Sequence, residues 1–190
     1  MIGIRRGIFV TGLLALATLS SPAWSIDEAG VKALAANSVL QLPPTADGPS
    51  KLTVKIVASF TTGSNVWYMV TGSDEGSDEV LFFDFSGSTA QADLVVKDVT
   101  MADLKVKGPR QLEAFEAQGK GRLSFAGKDY IYEDSDDAVY FDGKDRDEVS
   151  YYEFSNPKDE TDGLLIVQWD ESDIDGFLTK SIDAKAIKLL

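Results

Sequence analysis

The chain has 190 residues, 18 basic and 31 acidic side chains, a formal charge of −13, and neither cysteine nor histidine. These counts exclude disulfides, Ser-His-Asp and Cys-His nucleophiles, thiolate or imidazole metal sites and a haem axial histidine, and the charge repels nucleic acid and anionic lipid. Catalysis is left to carboxylates, lysine, tyrosine or serine, and a metal to an all-oxygen shell, which favours calcium or magnesium over zinc.

At the start of the chain, Arg5 and Arg6 precede an apolar run from Ile8 to Leu19, and Ser20 to Ser25 form an exit rich in small residues. The run is interrupted by Thr11, Gly12 and Thr18 and falls short of the ~20 apolar residues of a spanning helix. The layout is that of a cleavable secretory signal. Ala23 and Ser25 satisfy the small-x-small rule, so residues 1–25 are read as the signal, with a cut after Ala23 as the alternative. No Ser or Thr precedes the arginine pair, as a twin-arginine signal requires, and no cysteine follows to accept a lipid. The expectation is a periplasmic or secreted bacterial protein with no membrane span after cleavage. The signal holds two basic residues and no acidic one, so the remaining chain carries 16 bases against 31 acids, a charge of −15.

Residues 26–50 read as a short helix followed by a linker. Asp27 is a candidate N-cap, Val31 and Leu34 share one face, and Leu42 to Pro49 contain three prolines and a glycine. From residue 51 to 190 the pattern is that of a single β-rich domain. In KLTVKIVASF, period two places Leu52, Val54, Ile56, Ala58 and Phe60 on one face. NVWYMVT and EVLFFDF flank a glycine-bearing acidic hairpin, and ADLVVKDVT and ADLKVKG continue to Gly108 as strands. Pro109 to Gly119 has proline at its start, glycine just past its end and Leu112 three before Phe115, the signature of a short helix near 109–118. The strands GRLSFAG, DYIYED, AVYFDG, VSYYEFS, GLLIVQWD and GFLTKSI follow, separated by turn residues. The fold class expected is all-β, mainly antiparallel: a meander closed into a barrel or packed as a sandwich.

Candidate sites are acidic or aromatic. Between Asp129 and Asp175 there are seventeen Asp or Glu and three Lys or Arg. In Asp170-Glu171-Ser172-Asp173-Ile174-Asp175-Gly176, alternating carboxylates before glycine resemble the opening of a calcium loop, with Asp170, Asp173 and Asp175 as ligands. Ile182 stands where the bidentate glutamate belongs, so a surface turn competes with that reading. Asp142 to Glu148 reads as a charged hairpin loop. Adjacent aromatics such as Tyr151-Tyr152 put one ring on each face of a strand, so Trp67, Tyr151 and Trp169 are candidates for an aromatic binding face as well as for the core. Gly121 to Asp129 echoes a phosphate-binding loop, but the spacing is one residue too long and Asp129 replaces the magnesium-holding hydroxyl.

The order VWYMVT, EVLFFDFSG, GRLSFAGKDYIYEDSDDAVYF, VSYYEFSN and GLLIVQWDESDIDGFLTKSI resembles an uncharacterised bacterial family of β-rich domains of unknown function, often encoded beside phage-shock and other membrane-stress genes. The resemblance spans roughly Leu52 to Ile182. It implies a β-rich accessory module without catalytic residues to carry over. The sequence thus supports an exported, non-enzymatic binding or interaction module, its partner a protein or an envelope component. It offers no cofactor other than a calcium ion at the acidic loops, and no signal for an oligomeric state. A calcium-binding protein and a carboxylate-based hydrolase are the alternatives.

Overall fold

The computed structural model describes residues 25–45, 48–87 and 90–190; the expected signal, apart from Ser25, lies outside the described residues. In chain order the elements are α1 (Glu28–Lys32), β1 (Val39–Gln41), β2 (Lys51–Thr62), β3 (Asn65–Asp74), β4 (Ser77–Asp84) and β5 (Gln91–Val99). Then come α2 (Pro109–Gln118), β6 (Arg122–Phe125), β7 (Lys128–Phe141), β8 (Arg146–Asn156), β9 (Asp159–Gln168), β10 (Ile174–Ile182) and β11 (Lys188–Leu189).

All the strand pairings are antiparallel and run β11-β1-β2-β3-β4-β5-β10-β9-β8-β7-β6. A further pairing of β2 with β7 closes eight of these strands into a ring, which makes the meander a barrel. Strand stagger explains why that closure is short. The upper end of β2 meets the lower end of β7, pairing only Ser59 with Phe141, Phe60 with Tyr140 and Thr61 with Val139. The rest of β7 is left to β6 and β8.

Hairpin chemistry sets the registers. Glu75-Gly76 joins β3 to β4 with φ of 48° and 94°, and Ala126-Gly127 joins β6 to β7 with 49° and 80°. Positive φ at both central residues is the turn whose twist matches a β-hairpin. The acidic stretch around Gly76 is therefore mostly strand, with a two-residue turn.

Three expectations are corrected. First, the register of β2 shifts between Val54 and Ile56, a bulge that absorbs Lys55. One extra residue flips every later side chain, so Leu52 and Val54 face outward, Ala58 and Phe60 face inward, and Ile56 is 46% exposed. Second, residues 102–108 form no strand. They are a loop whose Leu104 and Val106 are buried against β-strand side chains. Third, DYIYED and AVYFDG are one strand, β7, with a register shift at Tyr132–Asp134 in place of a turn. The helices stand where expected: Asp27 caps α1, its Oδ1 accepting from the Gly30 amide at 2.7 Å.

Contacts across the ring identify its inside. Trp67 on β3 packs edge-on against Tyr151 on β8 at 5.4 Å, and Phe82 on β4 against Phe177 on β10 at 5.6 Å. Phe60 stacks on Trp67 at 3.8 Å and fills the lower interior with Tyr140, Trp169 and Val167. The outer face carries two apolar patches, too large to leave in water. One, around Val70, Phe83 and Leu94, is covered by Ile26, Val31, Leu34, Leu40 and Ile187. The other, around Phe154, Ile166 and Leu178, is covered by Leu104, Val106 and α2 through Leu112 and Phe115. Residues 26–42 are thereby part of the packed structure: β1 pairs with both β2 and β11, and the Ile26 amide donates to the Ile187 carbonyl at 3.2 Å.

Candidate functional site

Above the aromatic filling, the barrel interior is not packed by side chains. A cavity of about 310 Å³ opens at the end where the β2–β3 and β8–β9 hairpins lie. Its floor is Trp67, Phe82 and Tyr151. Its wall carries six carboxylates, Asp84, Asp93, Glu133, Glu153, Glu160 and Asp162, and among the described residues no lysine or arginine lines it.

Period two delivers these groups. Tyr151, Glu153 and Ser155 alternate along the inner face of β8, Phe82 and Asp84 along β4, and Asp93 lies opposite Ser181 on β10. Asp84 accepts from the Ser86 amide at 2.7 Å and its hydroxyl at 3.0 Å, Asp93 from Ser181 Oγ at 2.5 Å, and Glu133 from Ser155 Oγ. Glu153 has no such donor, and its surroundings act on it only through burial and like charge.

Glu153 touches cavity solvent, yet protein surrounds it. Loss of bulk hydration pushes its pKa up to about 7, helped by Asp134, Asp84, Asp93 and Glu133. Burial likewise raises Asp93; its bond from Ser181 opposes the shift and Asp84 adds to it. Tyr151 is also raised, first by burial and then by Glu153 and its acidic neighbours. The cavity thus holds a carboxyl, Glu153, that keeps its proton to near neutrality.

Asp162, at the rim, is different. Burial alone would raise its pKa, but Lys128 at 2.5 Å and Lys180 at 2.9 Å outweigh that and hold it low. Asn156 Nδ2 also donates to it at 3.3 Å, and Lys180 reaches Asp159 at 2.9 Å. This network ties β7, β9 and β10 together at the mouth.

The residues singled out from sequence fall in two places. Asp170 and Asp173 sit in the β9–β10 turn, and Asp175 is the second residue of β10, all three exposed. Asp170 Oδ1 accepts from the amides of Ser172 and Asp173 at 2.6 and 2.8 Å, closing the turn and lowering its pKa. Asp175 Oδ2 accepts from Trp169 Nε1 at 2.8 Å. Among the described residues no three acidic side chains are grouped to hold a metal ion. Asp142 serves the β7–β8 turn in the same way, accepting from the Lys144 and Asp145 amides. Trp67, Tyr151 and Trp169 do come together, inside the barrel rather than on an outer sheet face.

Sequence reasoning missed Asp84, Asp93 and Glu153. A signal was present for Glu153, because it shares a strand face with Tyr151. Trp67 Nε1 is buried without a hydrogen-bond partner. No described helix is long and apolar enough to cross a membrane. Comparison of the chain with protein-family models, curated proteins and solved structures gives no match, so the functional argument rests on this geometry.

Proposed function

We propose that the protein is an exported, non-enzymatic binding module of the bacterial envelope that takes its ligand into the open end of the barrel. One observation carries the reading: an eight-stranded ring, of a width that side chains can fill or that can hold one small ligand, is filled only in part and keeps a cavity of about 310 Å³ above an aromatic floor. That volume is at the small end of the range for small-molecule sites. Export is supported by the basic, apolar and small-residue order of residues 1–25.

The test uses the neutral dye N-phenyl-1-naphthylamine and protein purified from cells expressing the full chain. Saturable, one-to-one fluorescence enhancement that is lost in Ser181→Trp, which fills the mouth, is the expected result. Enhancement that never saturates, or is unchanged by Ser181→Trp, counts against the cavity.

A second reading has one observation in its favour. Glu153, its pKa pushed up to about 7, shares the cavity lining with Asp162, which Lys128 and Lys180 hold low, and carboxyls of separated pKa are what glycoside hydrolysis uses. Turnover of nitrophenyl glycosides that disappears in Glu153→Gln would establish it in place of the binding module.

A further inference from the structure

We propose that the cavity binds a small organic ammonium ion, with its cationic head among Asp84, Asp93 and Glu153 and its apolar part against Trp67, Phe82 and Tyr151. This names the ligand class for the binding reading above and rests on it.

Three observations select that class. The first is the sign of the charge. Six carboxylates line the wall and, among the described residues, only Asp162 has ammonium partners, Lys128 and Lys180. A cation entering the cavity relieves the repulsion among the rest, whereas an anion adds to it. The second is the spread of the charge. The carboxylates ring the wall and no three converge on a point as a metal shell does, so a bare divalent ion gains little, while a bulky, weakly hydrated ammonium can meet several at once. The third is the floor. Aromatic rings attract organic cations through their quadrupoles and shed water from the alkyl groups.

Binding is linked to protons at Glu153. The groups facing it are Asp134 and Glu133 on β7, Asp84 on β4 and Asp93 on β5, all acidic, with Leu165 on β9 and Tyr151 on its own strand. No described lysine or arginine lines the cavity to take the ligand's place. An ammonium favours the ionised form, so it displaces the proton that Glu153 holds near neutrality.

The probe is choline, with its neutral carbon isostere 3,3-dimethylbutan-1-ol and calcium chloride as comparisons at matched ionic strength. The readouts are calorimetry and intrinsic fluorescence. Choline is expected to bind with one-to-one stoichiometry, at least about tenfold more tightly than the isostere, and about tenfold more tightly at pH 8 than at pH 6. Its binding is expected to release protons at pH 7 and to weaken about tenfold or more in the Asp93→Asn, Glu153→Gln double variant. That variant keeps side-chain size and an acceptor for Ser181 Oγ at position 93 while removing charge, and its circular dichroism and melting temperature check that it folds. Nα-acetyl-lysine amide separates the sources: if it binds more tightly than choline, the natural cation is a lysine side chain; if less, a free solute.

Equal binding of choline and the isostere, an undiminished double variant, or a calcium-specific rise in melting temperature with no choline response would overturn the inference. If the naphthylamine dye binds and choline does not, the cavity reading stands and the cation fails. If neither binds, both fail.

Discussion

A carboxyl hemmed in by protein and facing other carboxylates keeps its proton, and Glu153, though cavity solvent reaches it, meets both conditions. Its pKa rises from the ordinary 4.5 to about 7 on folding, so the folded state binds the proton more tightly than the unfolded chain. The stabilisation this gives is complete below about pH 4.5 and is lost as pH rises through about 7. Asp93 acts in the same direction. Glu153→Gln should therefore leave the melting temperature at pH 4 unchanged and raise it at pH 8, by an amount on the order of 3 °C for a chain of this size, since the solvent that reaches Glu153 in the cavity screens part of the effect. Scanning calorimetry of wild type and variant at the two pH values checks this; an equal shift at both would mean that the effect is not titration.

At the scale of the element, local chemistry and ring closure divide the work. Ala126 is exposed in the β6–β7 turn at φ 49°, where an L-residue is strained and glycine is not. Ala126→Gly should stabilise the protein by about 0.5–1 kcal/mol, read from urea denaturation midpoints. Strands of this kind are legible in a sequence because alternation and turn residues are local, and α1 and α2 because caps are local. The bulge at Lys55 was not legible, since nothing in KLTVKIVASF marks which residue the ladder skips. Residues 102–108 misled for a related reason: alternation records that Leu104 and Val106 are buried, not that they belong to a strand. The cavity was hidden more deeply. A polar residue alternating with apolar ones reads as the wet side of a sheet, and Asp84, Asp93 and Glu153 have that pattern. Closing the sheet turns that side inward, and the closure depends on three residue pairs about 80 positions apart in sequence.

Over the whole molecule the titrations oppose one another. Asp162, held low by Lys128 and Lys180, contributes stability above the ordinary aspartate pKa that is lost as pH falls through its lowered value. Glu153 and Asp93 set the opposite limb, so the pH dependence of stability should peak near pH 4, between the ordinary aspartate and glutamate values of 3.8 and 4.5. The β2–β7 seam is the shortest joint of the ring, three pairs against seven between β10 and β9. Amide hydrogens at Ser59, Thr61, Val139 and Phe141 should exchange before those of the β9–β10 ladder, by mass spectrometry or NMR; uniform protection around the ring would show that the seam opens only on global unfolding. The joint between residues 25–41 and 187–189 has a consequence for how the protein is made. Ser25 bridges to Lys188, Ile26 hydrogen-bonds Ile187, and Leu40 pairs with Leu189. A polypeptide made amino end first can pair β1 with β2 at once, but holds Ser25, Ile26 and the other edge of β1 without these partners until residues 187–189 have followed. Residues 26–41 can therefore pack on β2 to β5 early, while their joint to residues 187–189 is closed only after about 150 further positions have been made.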